Sequence, residues 1–252
     1  MPEGDSNGSW AAVILAAGKG TRLGGGRAKV LREVAGRPMI AWVAEAAREA
    51  GASKIVAVVG YEREAVVKAL PSGVDSAVQE VPRGTGDAVR AARGKLGDWP
   101  GDLWVLSGDV PGMRAGTLRR LAETHKSDGA ACTVLTMRPD DPARYGRVVR
   151  DDAGRVARIV EFADASEEER AVRELNSGTY AFRAKELFAT LPRLSNDNAQ
   201  GEYYLTDVVR FMIEDGLTVA AVETDDPREC MGGDTPEALA AIRAAWPGRQ
   251  GP

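Results

Sequence analysis

The chain has 252 residues, 44% hydrophobic and 28% charged, and its 33 Lys and Arg against 37 Asp and Glu leave a formal net charge of −4. That is the make-up of a soluble globular protein of one large or two small domains, long enough to bury a core without a metal or disulfide staple. It excludes a disordered, collagen-like or disulfide-framework chain, and it offers no basic excess for binding nucleic acid or a membrane surface.

Met1–Ser9 is polar and Gly-rich, without the basic start and apolar centre of a signal peptide, and reads as a disordered tail. Ala11–Ala16 is a short continuous apolar run, the pattern of a strand buried on both faces. A Gly-rich loop follows, and Pro38 opens a helical pattern that puts Ile40, Val43, Ala44 and Ala47 on one face. The alternation continues with strands at Lys54–Val59, Val74–Val78, Leu103–Leu106 and Ala130–Met137. Helices fall between them at Glu62–Leu70, Thr85–Leu96 and Arg114–Lys126. This rhythm predicts an α/β fold, a Rossmann-like and mostly parallel sheet with helices on both faces.

The second half changes character. Arg147–Arg150 and Val156–Val160 flank Asp151-Asp152-Ala153-Gly154 and read as a hairpin. Glu174–Phe182 reads as a strand, Ala184–Leu191 and Tyr204–Glu214 as helices, Leu217–Val222 as a late strand and Pro236–Trp246 as a terminal helix. The expected organisation is one domain over residues 10–247 with a β-rich insertion at about 139–182. No apolar run approaches the roughly 20 residues of a membrane span, so a soluble, cytoplasmic protein is expected.

Cys132 and Cys230 lie far apart with no CxxC, and His125 is the single histidine. Zinc needs clustered N and S ligands, which excludes it here. His125 reads as an ordinary helix-end residue, and both cysteines as small core residues in a reducing compartment.

Leu15-Ala16-Ala17-Gly18-Lys19-Gly20-Thr21-Arg22-Leu23, with Lys29 after it, leaves the first strand. Glycines there let the backbone approach a nucleotide, and Arg22 and Lys29 add the positive charge that a triphosphate needs. The spacing fits neither GxGxxG nor the Walker pattern; a plain Gly-rich turn with two solvated cations is the competing reading. Asp109, in Ser107-Gly108-Asp109, ends a buried strand, where a carboxylate suits Mg²⁺ held with substrate phosphates or caps the next helix. Gln79 and Gly84-Thr85-Gly86 follow the third strand, so Gln79 is placed to read a base edge. Gly146, Glu161 and Asn176 bring sugar-binding polarity to the insertion.

LAAGKGTRL with its downstream lysine resembles the signature of the sugar-1-phosphate nucleotidylyltransferases. VQEVPRGTGDA, LSGDVP, DDPARYGRVV, IVEFADAS, ELNSGTYAF and above all SNDNAQGEYYLTD narrow the resemblance to the uridylyltransferase (pyrophosphorylase) domain of bacterial N-acetylglucosamine-1-phosphate uridylyltransferases, in order from about Ala11 to Ala244. The resemblance implies transfer of uridylate from UTP to N-acetylglucosamine-1-phosphate with Mg²⁺, giving UDP-N-acetylglucosamine and pyrophosphate. It assigns the backbone of Leu15, Ala16, Ala17 and Gly18, with Gln79, Gly84 and Thr85, to the uridine. Arg22 and Lys29 go to the phosphates, and Gly146, Glu161 and Asn176 to the sugar. Asp109 and Asp234 become the metal ligands, and Ser107 and Gly108, directly before Asp109, substrate-binding residues.

This chain departs from that family's pattern at three places. Ala28 replaces the usual proline before the loop lysine, after Gly24-Gly25-Gly26, which predicts a floppier loop. Ser107 stands where a tyrosine is common. Asp234 replaces an asparagine, adding a harder cation ligand but leaving two carboxylates expected to repel one another in the free protein; a helix N-cap before Pro236 is the competing reading of Asp234. No hexapeptide repeat is present through Pro252, so acetyl transfer by a C-terminal β-helix domain is not expected. The alternatives are the same chemistry on another sugar phosphate or nucleotide, such as glucose-1-phosphate or dTTP, or a non-catalytic nucleotide-sugar-binding subunit. The sequence leaves the oligomeric state open.

Overall fold

A computed structural model describes residues 9–24 and 26–246 of the chain. The expected tail over 1–9 lies outside the described residues apart from Ser9, as do Gly25 and Pro247. The first apolar run is β1 (Trp10–Ala16), and it is apolar at every position because both of its faces are covered. Ala11 and Val13 enter one core, while Ala12, Ile14 and Ala16 enter the other.

A two-residue hairpin, β2 (Glu33–Val34) with β3 (Arg37–Pro38), leads into α1 (Met39–Ala50), whose N-cap is Pro38. The alternation then runs through β4 (Ala52–Val59), α2 (Arg63–Ala69), β5 (Val74–Val78), α3 (Thr85–Leu96), β6 (Asp102–Ser107), α4 (Ala115–Ser127) and β7 (Cys132–Met137). The hairpin is β8 (Arg147–Arg150) with β9 (Val156–Val160). After it come α5 (Glu167–Ala171), β10 (Leu175–Arg183), α6 (Ala184–Thr190), α7 (Thr206–Glu214), β11 (Val219–Glu223) and α8 (Pro236–Ala245). The sequence reading has no counterpart for α5, although Ser166 and Glu169 form a full capping box at its start.

The main sheet runs β11-β7-β10-β6-β1-β4-β5. β1 pairs in parallel with β4 and β6, β4 with β5, and β7 with β11. The helices cover both faces. Ala88, Val89 and Ala92 of α3 share a core with Leu187 of α6 and Val208 of α7. Ile40, Val43 and Ala44 of α1 share the opposite core with Leu118 and Leu121 of α4. Trp10 stacks on Trp104 at 4.2 Å between neighbouring strands, a contact worth about 1 kcal/mol beyond its burial.

One expectation needs correction. β10, placed by sequence at the end of the β-rich insertion, is a central strand, antiparallel to both β6 and β7. Of the strands within 139–182, only β8 and β9 stand off the main path. A strand entering against its neighbours begins where they finish, so the start of β10 meets the carboxyl ends of β6 and β7. That edge is where open α/β sheets bind ligands. Among the described residues no helix is long and apolar enough to cross a membrane.

Candidate active site

A cavity of about 1080 Å³ opens at that edge. Leu15, Arg22, Lys29, Thr85, Ser107, Asp109, Gly146, Glu161, Asn176 and Asp234 line it. Residues from β1, β6, the hairpin, β10 and the approach to α8 therefore converge on one space.

Charge is concentrated at one end. Lys29 Nζ donates to Asp109 Oδ2 at 2.8 Å, and Arg22 Nη1 donates to Asp234 Oδ2 at 2.8 Å. Lys29 opens a single 3₁₀ turn whose next residues, Val30 and Leu31, are buried and anchor it. Burial opposes the lysine's charge, but attraction to Asp109, helped by Asp234, outweighs it and holds the ammonium above the ordinary lysine value. Asp109 is 5% exposed, and its carbonyl accepts the Gly233 N–H at 2.8 Å, which ties the end of β6 to the segment carrying Asp234. The expected pair of uncompensated carboxylates is not found, because each aspartate has its own cation. The cap reading of Asp234 is also corrected. Thr235 is the N-cap of α8, its Oγ1 accepting the Ala238 N–H at 3.1 Å, as Pro236 at the first helical position requires.

The other end is polar and acidic. Glu161 follows β9, and Thr206, the first residue of α7, donates to its Oε1 at 3.1 Å. Burial, reinforced by Asp164, Asp207 and Glu202, pushes the Glu161 carboxyl above the usual carboxylate range despite that bond. Asn176 sits at the start of β10. Its Nδ2 donates to the Tyr180 hydroxyl at 2.7 Å and its Oδ1 accepts the Gly178 N–H at 3.1 Å, so part of its capacity holds its own strand. Tyr145 and Thr206 also line the cavity, yet sequence reasoning did not single them out, although both sit in motifs already recognised, RYGRVV and YYLTD. The Tyr145 hydroxyl accepts the Gly232 N–H at 3.4 Å beside the aspartates.

Glu161→Gln gives a stability test. The folded protein holds the proton more tightly than the unfolded chain, so Glu161 costs stability as pH rises from its unfolded value through its raised folded one. The variant lacks that cost. Thermal melts from about pH 4 to about pH 8 should show its midpoint overtaking wild type as pH rises; parallel curves would mean that Glu161 ionises without penalty.

Ala16, Ala17, Gly18, Gln79, Gly84 and Gly108 do not line this cavity. Gly108 donates its N–H to the Leu15 carbonyl behind the wall at 2.9 Å. Ala16 ends β1, and the others follow the ends of β1 and β5, where Gln79 N–H donates to the Val59 carbonyl at 2.9 Å and Tyr61 N–H to the Ala17 carbonyl at 3.2 Å. Gln79 is buried, and its Nε2 donates to the Gly84 carbonyl at 3.1 Å and to Asp87 Oδ2 at 2.9 Å. Gly84 has φ 107, and a Cβ there would fall 2.7 Å from the Tyr203 carbonyl oxygen, so only glycine fits. Thr85 Oγ1 accepts the Leu205 N–H at 3.0 Å, which binds this loop to the start of α7.

His125 is buried with Nδ1 2.9 Å from Thr133 Oγ1 and does not line the cavity. Both thiols are free and buried, and burial pushes that of Cys230 up to about 12. Among the described residues no group of three or more His, Cys, Asp or Glu side chains is arranged to hold a metal ion.

Residues 12–210 match the MobA-like NTP transferase domain. The chain is 51% identical over 224 residues to the bifunctional protein GlmU of Pelobacter propionicus, covering 88% of this chain and 49% of that protein. It is 46% identical over 241 residues to the bifunctional protein GlmU of Novosphingobium aromaticivorans, covering 95% and 53%. Against that of Bacillus velezensis the figures are 45% over 221 residues, 88% and 48%. The chain spans about half the length of the curated relatives it matches. With a nucleotide-type sheet, a glycine-rich loop and paired charges at its carboxyl edge, the chain belongs to the MobA-like NTP transferase family.

Proposed function

We propose that the chain transfers uridylate from UTP to N-acetylglucosamine-1-phosphate, forming UDP-N-acetylglucosamine and pyrophosphate. The observation that carries the reading is one cavity holding Lys29, Arg22, Asp109 and Asp234 at one end and Glu161, Asn176 and Thr206 at the other. The ordered motif set supports the choice of sugar. An oxygen of the sugar phosphate attacks the α-phosphorus in line, the bond to the β-phosphate breaks, and pyrophosphate leaves. Such a step needs positioning and charge neutralisation rather than an activated nucleophile.

The base would lie beyond this cavity, at the ends of β4 and β5, where Gln79 stands. Its amide protons are spent on Gly84 and Asp87, so its carboxamide oxygen is what it offers a base. An acceptor suits the imide N–H of uracil or thymine and opposes the unprotonated ring nitrogen of cytosine. Glu161 and Thr206 offer an acceptor and a hydroxyl for sugar hydroxyl or amide groups.

The residues fit Mg²⁺. Asp109 and Asp234 would supply two hard oxygen ligands at the cavity wall, each now holding a cation, Lys29 on Asp109 Oδ2 and Arg22 on Asp234 Oδ2. Mg²⁺ takes only one or two protein carboxylates beside water and phosphate oxygens. Bound there, the ion would neutralise phosphate charge as pyrophosphate leaves. With the aspartates given to the ion, Lys29 and Arg22 would be available to the phosphate oxygens. The buried free thiols suit work in a reducing cytoplasm.

Pyrophosphate release from UTP, dTTP and CTP, each with N-acetylglucosamine-1-phosphate and glucose-1-phosphate, tests the reading; no release with any pair would sink it and favour a binding subunit. Asp234→Asn is expected to stay active but to need more Mg²⁺ for half-maximal rate, with an unchanged melting midpoint because Thr235 keeps the cap. A wild-type metal curve would remove Asp234 from the metal site.

A further inference from the structure

The turn between β4 and α2 reaches both ends of the glycine-rich loop. Where the loop begins, Tyr61 N–H donates to the Ala17 carbonyl at 3.2 Å. Where it ends, the Glu62 carboxylate Oε2 accepts the backbone N–H of Ala28. Between these points the sequence has Gly18, Gly20, Gly24, Gly25 and Gly26, residues that give a backbone freedom rather than a fixed path. Ala28 is fully buried and directly precedes Lys29. A buried N–H needs an acceptor, and Glu62 provides it.

Glu62 itself is unusual. Its backbone is left-handed, at φ 50 and ψ 37, which an L-glutamate adopts only when its surroundings impose it. It occupies the N-cap position of α2, yet its side chain makes no capping bond there. Its carbonyl opens the helix by accepting the Val66 N–H at 3.0 Å, while its side chain is given to the loop. Ala28 meanwhile holds φ −54 and ψ 134, a conformation that a proline ring would fix covalently. Here a hydrogen bond holds it.

We propose that Glu62 is a positioning residue for Lys29: its carboxylate, through the Ala28 N–H, fixes the exit of the glycine-rich loop so that the lysine meets the triphosphate at a set place. The proposal rests on the phosphate-binding role given to Lys29 above. Glu62 touches no reacting atom in this account; it acts through Ala28 alone. Val30 and Leu31 hold the lysine from one side by burial, and the Ala28 bond holds it from the other.

The test uses the full chain with Glu62→Ala, Glu62→Gln and Glu62→Ala combined with Ala28→Pro. Hydrogen exchange at Lys29 and its neighbours, UTP affinity by calorimetry with Mg²⁺, and kcat and KM for each substrate are measured. Glu62→Ala should speed exchange there and lower kcat/KM for UTP roughly tenfold, a loss in scale with small displacements of a catalytic group. The KM for sugar phosphate should stay within about twofold, since Lys29 does not hold the sugar. Glu62→Gln, whose carboxamide oxygen accepts the same N–H, should remain near wild type. Adding Ala28→Pro to Glu62→Ala should recover most of the loss, because the ring fixes φ and needs no acceptor; a glutamate that only stabilised α2 would give no such rescue. Wild-type exchange and UTP affinity in Glu62→Ala, or no recovery in the double variant, would overturn the proposal. Absence of turnover by the wild-type chain would refute the uridylyl-transfer reading alone, because exchange and UTP affinity still decide the role of Glu62. A wild-type chain that does not bind UTP overturns both.

Discussion

Asp109→Asn is expected to lose most turnover, by roughly 10²-fold or more, even at saturating Mg²⁺. The substitution keeps the shape of the side chain, and the residue is nearly buried, so what it removes is charge. In the free protein that charge is matched by Lys29 at 2.8 Å, and of the two carboxylates proposed for the metal it is the better shielded. If Asp109 fixes where the ion sits, as proposed, saturating the metal cannot replace it, which separates this variant from Asp234→Asn. Lys29 also loses its counter-charge while burial still opposes its own, so the melting midpoint should fall by about 2–4 °C for each kcal/mol lost in a protein of this size. Rate against Mg²⁺ and thermal melts on the same preparations check both parts. A near-wild-type rate at high metal would exclude Asp109 from the metal site, whatever happened to stability.

Much of the fold was legible because it is written locally. AAVILA has to be buried on both faces wherever it goes, and the helices Thr85–Leu96 and Pro236–Ala245 carry their start signals in adjacent residues. Pro236 even identifies Thr235, rather than Asp234, as the cap, a reading open to the sequence through the preference of proline for the first helical turn. The capping box of α5 was equally visible in Ser166 and Glu169. The direction of β10 was not. Glu174–Phe182 reads as a strand from its residue types, but whether it enters a sheet with or against its neighbours depends on partners far away in the chain. That direction is what carries Asn176 to the carboxyl edge of the sheet.

The charges of the site divide in the same way. Their residue types and motif positions were readable, but their pairing was not. Arg22 meets Asp234 across 212 positions and Lys29 meets Asp109 across 80, and no local spacing encodes either. Gln79 could be nominated for a base edge, but only the spending of its amide protons on Gly84 and Asp87 says which half of the carboxamide is left. Ala28 suggested a loose loop, and the acceptor that tightens it is a glutamate whose left-handed backbone no propensity predicts.

Lys29→Ala is expected to cut turnover by roughly 10²-fold or more in a chain that still folds, the loss typical of removing one preorganised electrostatic group. The difficulty is that it also strands Asp109, whose side chain is only 7% exposed. Breaking a fully buried ion pair costs about 3–5 kcal/mol; with the lysine side chain 25% exposed, water screens part of this one and about 1–2 kcal/mol is the reasonable scale. The pH dependence follows from the raised value of Lys29. A cation bound more tightly in the folded state lends its stability in full below the ordinary lysine value and loses it as pH rises through the folded one. Wild type should therefore outlast Lys29→Ala in melts at neutral pH and converge on it in strong alkali. Stability and chemistry separate in the double variant Lys29→Ala with Asp109→Asn, where no charge is left stranded. Its melting midpoint should recover toward wild type while its turnover stays at the level of the worse single variant. If turnover recovered with stability, the loss in Lys29→Ala would be the cost of an unpaired aspartate, and the lysine would have no part in stabilising the departing pyrophosphate.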